Sequence, residues 1–377
     1  MPIQSLLDFR DPDVCKRMVI KIGSALLVDN SGRVEVEWLR TIVNEIWTAR
    51  EMGMDVVVVS SGSIAIGAKQ LDFEQGGRRT LAEAQASASV GQIELASVWR
   101  QLLAERGLVA AQMLLTLDDF ENRRRYLNIS ATLRRLLRSG VVPVVNENDT
   151  IATGEIRFGD NDRLAARVAQ ACEADGVILL TDVDGLYDKH PDEPDAERLD
   201  EVDGVTQEIH DMADGGSSSG LGSGGMTAKL LAAEIAERAG IALAILNGKP
   251  ENPIARAMAA QAGTLFLPQR DETGRRGWIG GRMRFAGSIK VDDGCVQALR
   301  NGKSVLAAGI INAEGDFDRG DIIPVYDIAG NLVAKGLVEY DVSDVEAIMG
   351  KQSNEQEAIL GHAPRSAVMH RDHLVLM

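Results

Sequence analysis

The sequence predicts an α/β fold: a three-layer αβα sandwich around a mainly parallel central sheet, followed by a small β-rich module. Three observations carry this. Short apolar runs lack the two-residue alternation of a half-exposed strand, so both faces of their sheet must be covered. Helical stripes separate these runs one by one, the pattern of parallel strands joined by crossover helices. After about Arg270 the alternation stops.

Taken in order, residues 18–22 predict the first strand. Residues 36–52 predict the helix after it, with Leu39, Ile42, Val43 and Ile46 on one stripe. Strands follow at 56–59, 109–115, 141–145, 177–180 and 241–246, with helices at 80–106, 122–139, 162–174 and 226–239 between them. Gly53, Gly107, Gly140 and Gly240 each follow a helix and suit its C-terminal cap. Residues 211–225 hold six glycines and four serines and read as a mobile loop. The polar run 271–276 reads as a linker, and Trp278-Ile279 as a last strand of the first domain. Beyond Ala286, β-like runs at 304–306, 322–326 and 332–338, with turns at Gly315, Gly320 and Gly330, read as a compact module. The domains are expected at 1–280 and 285–377.

The chain has 377 residues and a net charge of −16, which disfavours nucleic acid as its main partner. Cys15, Cys172 and Cys295 are far apart and form no C-x-x-C pair, the usage of a reducing compartment. His370 and His373 have metal-like spacing but no cysteine nearby, and read as ordinary tail residues. The first thirteen residues carry three aspartates and no apolar core, so they do not read as a signal peptide. No apolar run approaches the ~20 residues that cross a bilayer. The expected location is cytoplasmic.

Residues 141–162 concentrate the polar chemistry. An apolar strand opens into Asn146, Glu147, Asn148 and Asp149, and Asp160, Asn161 and Asp162 stand at the start of the next helical pattern. In an open α/β sheet, ligands bind beyond the carboxyl ends of strands and at helix N-termini. Amides donate to a substrate carboxylate. Carboxylates hold its ammonium group, orient a lysine or bind a metal. That mixture suits a small zwitterion better than a sugar or a lipid.

Lys21 ends the first strand beside Gly23-Ser24, where a lysine reaches a phosphate and a glycine backbone approaches closely. Alone, the position also reads as an ordinary strand-end lysine. Ser60-Ser61-Gly62-Ser63 makes a second strand–glycine–helix turn, an anion or carboxylate site, a helix N-cap by Ser61 or Ser63, or both. Gly220, Gly222 and Gly225 satisfy G-x-G-x-x-G, but a polar loop precedes them, so this is no dinucleotide fingerprint. Nor is it a Walker A loop, because Ala228 and Leu230 replace the required glycine and hydroxyl. What remains is a glycine loop opening a helix, with Lys229 as a point charge one turn in. Two lysines without a histidine, cysteine or serine triad imply charge neutralisation. Phosphoryl transfer has that requirement, since its transition state spreads negative charge over the transferred oxygens.

Together, Lys21-Ile22-Gly23-Ser24, Ser60-Ser61-Gly62-Ser63-Ile64-Ala65, Gln112-Met113-Leu114-Leu115-Thr116, Val145-Asn146-Glu147-Asn148-Asp149, Gly159-Asp160-Asn161-Asp162, Leu180-Thr181-Asp182-Val183-Asp184-Gly185-Leu186-Tyr187 and Gly222-Ser223-Gly224-Gly225-Met226-Thr227-Ala228-Lys229 resemble the amino acid kinase family. The resemblance spans nearly the whole chain and is closest to the branch that phosphorylates glutamate. The tail beyond Phe285 resembles the PUA domain, a small β-barrel-like fold. The resemblance implies the amino acid kinase fold with a PUA domain after it. It implies ATP as donor, L-glutamate as acceptor through its side-chain carboxylate, and L-glutamyl 5-phosphate as product, the first step of proline biosynthesis. It further implies a magnesium ion (Mg2+) bridging ATP oxygens, proline as feedback inhibitor, and a homo-oligomer, dimer or tetramer.

By position, the resemblance implies that Lys21 and Lys229 contact the ATP phosphates and stabilise the transferring group, with Asp162 holding both lysines by ion pairing. Ser61, Asp149 and Asn161 would bind glutamate. Thr181 and Asp182 would line the nucleotide pocket, and Ser223, Gly224, Gly225, Met226, Thr227, Ala228 and Lys229 would form the loop over the phosphates. No protein ligand of the metal is implied. Ser60 stands where a threonine is common, and Ala228 where a hydroxyl is often seen; both bear on loop detail, not on the reaction. The acceptor carboxylate is ionised at neutral pH, its ordinary pKa being ~4.3, so no general base is needed and Asp162 reads as an organiser.

Two other readings stand beside this one. Another family member, such as an acetylglutamate, aspartate or uridylate kinase, is disfavoured by the Asn-Glu-Asn-Asp cluster and the tail. An RNA-binding or RNA-modifying protein is disfavoured by charge: from Phe285 on, 8 Lys+Arg face 14 Asp+Glu, a net −6. A structural or regulatory tail is expected. Arg123, Arg124, Arg125, Arg134, Arg135 and Arg138 lie on a predicted amphipathic helix and read as a solvated face or subunit contact.

Overall fold

A computed structural model describes residues 2–29, 32–151, 160–191, 193–214, 223–268, 285–365 and 367–376. The chain divides into two compact units, Met1–Arg270 and Asp271–Met377. Gly159, Gly220, Gly222, the expected linker 271–276 and the expected strand Trp278-Ile279 lie outside the described residues.

The first unit is built on strands β1 (Arg17–Ile22), β2 (Asp55–Ser60), β3 (Ala110–Leu115), β4 (Val142–Glu147) and β5 (Gly176–Thr181). Two short strands, β6 (Leu186–Tyr187) and β7 (Arg198–Leu199), form a separate ribbon, and β8 (Glu201–Val202), β9 (Ala242–Asn247) and β10 (Thr264–Phe266) complete the main sheet. Its order is β3-β4-β2-β1-β5-β9-β10-β8. Every neighbouring pair is parallel except β9 and β10.

Successive residues of each strand feed opposite cores. Ile20, Val58, Val144 and Ile178 join one core with Leu39, Ile42 and Ile46 of helix α2 (Val36–Glu51), which follows the short helix α1 (Ser24–Leu27). Helix α3 (Ser63–Gln70) comes next, and α4 (Leu81–Ala104) adds Trp99, Leu102 and Leu103 to the same core. Val19, Val57, Val145 and Leu179 join the other core. After α5 (Leu117–Glu121), that face is covered by α6 (Arg123–Arg138) and α7 (Asp160–Cys172), then by α8 (Gln207–Asp214) and α9 (Ser223–Arg238). Helix α10 (Pro253–Ala260) returns to the first face. The central strands are therefore covered on both faces, which is why they read as continuous apolar runs, while the edge strand β3 stays partly exposed.

Three boundaries differ from the sequence reading in ways that matter. Strand β4 continues through Asn146 and Glu147, because their backbones pair with Leu114 and Leu115 of β3 whatever their side chains. The stretch 211–225 is not one loop: α8 runs to Asp214 and α9 begins at Ser223, so three small residues form the first turn of a helix. Neither Ser61 nor Ser63 caps α3; Gly62 holds the N-cap position in the left-handed region, φ 104°. A side chain there would be strained and crowded against Val28 and Leu27.

The second unit is β-rich as expected. Strands β11 (Gly287–Val291), β12 (Ile310–Gly315), β13 (Ile322–Tyr326), β14 (Leu332–Leu337) and β15 (Leu374–Leu376) form one sheet in the order β12-β11-β13-β14-β15. Residues 304–306 are not a strand: Val305 makes one bridge to Met369 before a 3-10 turn. Three short helices, Asp293–Arg300, Val342–Ile348 and Ser353–Leu360, are additions to the sequence reading. Asp292 and Asp341 start the first two by accepting from the N–H groups of Cys295 and Asp344. His370 and His373 meet edge to face, ring centroids 6.1 Å apart.

Candidate active site

At the carboxyl end of β1, Lys21 stands between Val59 of β2 and Leu179 of β5. The chain builds outward on one side of β1 and then crosses to β5 on the other, so Lys21 marks the switch point of the sheet. Its side chain shares the face of Val19, under α7 and α9. Asp162 sits in the first turn of α7 and Lys229 in the second turn of α9, two helices packed together.

All three side chains are buried and joined. Lys21 Nζ lies 2.5 Å from Asp162 Oδ1, and Lys229 Nζ lies 3.1 Å from Asp162 Oδ2. Lys229 also donates to the Gly225 carbonyl at 3.2 Å, across the first turn of its helix. Burial pushes the Lys21 pKa down and the Lys229 charge adds to this, while Asp162 and Asp182 oppose it. Burial alone would raise the Asp162 carboxyl, but the two lysines outweigh it and hold it below its ordinary value. Within the triad two amino groups share one carboxylate, and the negative charge of Asp182 also acts on Lys21. Two amino groups brought together in a buried site are suited to an anion.

Beside this triad lies a network of amides and hydroxyls. Asn161, next to Asp162 in the chain, donates from Nδ2 to Ser61 Oγ at 2.9 Å and to Asn146 Oδ1 at 3.2 Å. Asn146 is the hub. Its Nδ2 donates to Gln92 Oε1 at 2.8 Å and to Ser63 Oγ at 3.3 Å, and its Oδ1 also accepts from the Glu147 N–H at 2.8 Å. The Ser63 hydroxyl donates to Asp149 Oδ2 at 3.3 Å. Among the described residues, the buried Asn161 Oδ1 has no hydrogen-bond partner. Burial lowers the pKa of Arg78, and the charge of Asp149 opposes it.

The network depends on an unusually close pair of helices. A Cβ on Gly67 would stand 1.8 Å from the Ser87 carbonyl, and one on Gly91 would stand 1.9 Å from the Ser63 carbonyl. Helices α3 and α4 thus touch backbone to backbone, which brings Ser63 and Gln92 together at the Asn146 amide nitrogen.

On the other side of the triad, Thr181 ends β5 and donates to Asp182 Oδ1 at 3.1 Å. The Gly248 N–H donates to the Thr181 carbonyl at 2.7 Å. A Cβ on Gly248 would meet Leu26 at 2.2 Å, so this close approach needs glycine. Gly23 abuts Lys21, its hypothetical Cβ 3.9 Å from Nζ. In α9, Ser223, Gly224 and Gly225 open the helix, Met226 packs on the core, Thr227 is half-buried and Ala228 is buried.

Of the residues singled out in the sequence, Lys21, Asp162 and Lys229 are in direct contact. Ser61 and Asn161 are hydrogen-bonded, and Asp149 joins them through Ser63 and Asn146. Asp182 reaches the triad by its charge on Lys21. Sequence reasoning missed Gln92, Ser63 as a link, and Arg78; no local pattern marks them. The arginine run is partly committed within its own unit: Arg125 pairs with Asp119 at 2.9 Å, and the Arg123 guanidinium lies 5.1 Å from the Tyr126 ring centre.

A mainly parallel sheet covered by helices, with buried cations at its switch point, places this unit in the three-layer α/β class. The family model described as "Amino acid kinase family" matches residues 16–247, and the one described as "PUA domain" matches residues 287–360. The chain belongs to the amino acid kinase family. It is 57% identical over 377 residues to a protein named "Glutamate 5-kinase" from Novosphingobium aromaticivorans, covering 100% of both chains. It is 50% identical to the "Glutamate 5-kinase" of Zymomonas mobilis, covering 97% of this chain and 92% of the relative. With that of Sphingopyxis alaskensis the identity is 51%, covering 97% and 99%.

Proposed function

We propose that this chain transfers the γ-phosphoryl group of ATP to the side-chain carboxylate of L-glutamate, giving ADP and L-glutamyl 5-phosphate, the first step of proline biosynthesis. The observation that carries this reading is the buried Lys21–Asp162–Lys229 triad, with its two amino groups at the sheet's switch point. The lysines stabilise charge on the transferring group. Asp162 stays anionic, spaces the lysines and takes no proton. The attacking carboxylate is ionised at neutral pH, so the site needs no general base.

Ser61, Asp149 and Asn161 take the glutamate. An unpartnered acceptor at Asn161 Oδ1 and the carboxylate of Asp149 suit its ammonium group. Thr181, Asp182 and residues 223–229 take the nucleotide. Among the described residues no group of three His, Cys, Asp or Glu side chains converges as a metal cage, and Asp162 is committed to its lysines. A magnesium ion brought with ATP would need no such cage, since this ion is commonly held by one or two carboxylates together with substrate phosphates, and it would supply further positive charge to the transferring group.

Proline, with the same α-carboxylate and ammonium pattern as glutamate, is the feedback inhibitor we assign to that subsite, in a homo-oligomeric enzyme. The catalytic domain is taken as 1–280 and the PUA domain as 285–377, the latter structural or regulatory at net −6. Among the described residues no helix is long and apolar enough to cross a membrane, and the three cysteines are buried free thiols, which supports a reducing cytoplasm.

The test is a panel of acids with ATP, the acyl phosphate trapped by hydroxylamine. Product with glutamate is expected. Product with aspartate or acetylglutamate instead would move the chain to another member of the family.

A further inference from the structure

We propose that Gln92 is a positioning residue for glutamate: it helps hold the Asn146 amide as it now faces, and through it the polarity of Asn161 and Ser63. The inference rests on the reading of this network as the glutamate subsite.

An asparagine side chain offers two N–H donors and an oxygen with two acceptor positions. Asn146 uses all four, with Gln92 and Ser63 on its nitrogen and Asn161 and the Glu147 N–H on its oxygen. Asn161 therefore spends both of its hydrogens, on Asn146 and Ser61, and presents Oδ1 as its spare acceptor. Ser63 accepts from Asn146, so its own hydrogen is free for Asp149.

Turning Asn146 over reverses each of these. Its nitrogen would face the Asn161 nitrogen and the Glu147 N–H, and its oxygen would face Gln92 Oε1. Asn161 would have to turn as well, putting hydrogens where its acceptor now stands. Ser63 would donate to Asn146 and lose its bond to Asp149. The subsite would then repel the ammonium group it now suits.

Two contacts favour the present orientation, the first with a polarity that cannot reverse, the second through the oxygen that Gln92, itself an amide, presents. One is the Glu147 N–H, supplied by the strand itself. The other is Gln92, supplied by α4 and located by the glycine contact between α3 and α4. Removing the Gln92 acceptor leaves one Asn146 hydrogen without its partner at a buried site. Among the described residues, the hydrogen bonds of Asn146, Gln92, Ser61, Ser63 and Asn161 given above do not run to Lys21 or Lys229, so recognition of glutamate suffers and the phosphate chemistry does not.

The experiment is steady-state kinetics on the full chain with Gln92→Met, similar in length but without the acceptor, and Gln92→Glu, which keeps it. Gln92→Met is expected to raise KM for glutamate about tenfold, the scale of one buried hydrogen bond. Its kcat and its KM for ATP should stay near those of the unmutated protein. Gln92→Glu should restore most of the glutamate affinity. An unchanged glutamate KM in Gln92→Met overturns the proposal. So does a parallel rise in both KM values, or a Gln92→Glu variant as impaired as Gln92→Met. Failure of the unmutated protein to phosphorylate glutamate would instead sink the functional reading, and is seen before any variant is made.

Discussion

Asn161 and Asp162 are consecutive residues in the first turn of α7, and they serve two different networks. Asn161 is bonded to Ser61 and Asn146, whereas Asp162 is clamped between Lys21 and Lys229. One peptide bond thus ties the subsite assigned to glutamate to the cations assigned to the moving phosphoryl group.

Removing either cation should slow chemistry more than it weakens glutamate binding. Lys21→Ala and Lys229→Ala are expected to lower kcat by about 10²-fold or more, the scale of losing one preorganised charge contact. Glutamate KM should change little. Steady-state kinetics with both substrates varied checks this; equal kcat with a raised glutamate KM would refute the assignment.

Asp149→Ala should do the reverse. Loss of a carboxylate that suits an ammonium group is expected to raise glutamate KM about tenfold or more while kcat holds within a few-fold. The proline inhibition proposed above should weaken in parallel in the same variant, because both ligands present an α-carboxylate and an α-ammonium group. Inhibition curves at fixed glutamate decide it.

Asp162→Asn leaves two buried lysines facing each other without their counter-charge. A stability loss of roughly 3–5 kcal/mol is expected, the range for breaking a buried pair. In the unmutated protein the Asp162 pKa is depressed on folding. Its stabilisation is therefore present above the ordinary carboxylate pKa and is lost as pH falls through the lower folded value. The depressed Lys21 acts in the same direction at the alkaline end: the unfolded chain holds that proton more tightly, so stability rises with pH up to its ordinary value of 10.5. Denaturant melts across pH should show an acid-side loss that Asp162→Asn lacks.

Glu45 offers a separate pH test away from the site. Its carboxylate accepts from the Ala255 and Ile254 N–H groups at the start of α10, yet burial raises its pKa from 4.5 to about 6. The folded protein holds this proton more tightly, so the contribution is full below 4.5 and falls away as pH rises to about 6. The change amounts to about 2 kcal/mol at most. In Glu45→Gln the pH dependence of Tm over that interval should flatten.

Gly91→Ala should be costly for a methyl group. The added carbon meets the Ser63 carbonyl at 1.9 Å, so α3 and α4 must part. A loss of roughly 2–4 kcal/mol is expected, as for other overpacked sites, together with a higher glutamate KM. Denaturant unfolding and kinetics on one preparation check both.

How much of this could be read in the sequence depended on distance along the chain. Lys21, Asp162 and Lys229 each announce themselves locally, as a strand-end lysine before glycine, an acid at a helix start and a lysine one turn into another. The β1-to-β5 core was equally readable, because a sheet covered on both faces writes unbroken apolar runs. Strand β10 was not, since three residues give no pattern. Gln92 meets Asn146 across 54 positions and Ser61 meets Asn161 across 100, so neither pairing leaves a trace in local spacing. Of the readings open for the serines after β2, the cap falls away because a glycine in the left-handed region takes that position. In the second unit, aspartate caps start two short helices that apolar periodicity alone did not reveal.

The backbone contact between α3 and α4 has a consequence for how this protein can change. A joint made of side chains can be retuned in small steps, one methylene at a time. Where Gly67 and Gly91 meet the opposing helix there is nothing to trim and no room to add. Substrate preference should therefore drift through the residues that line the pocket, while the separation of the two helices stays fixed.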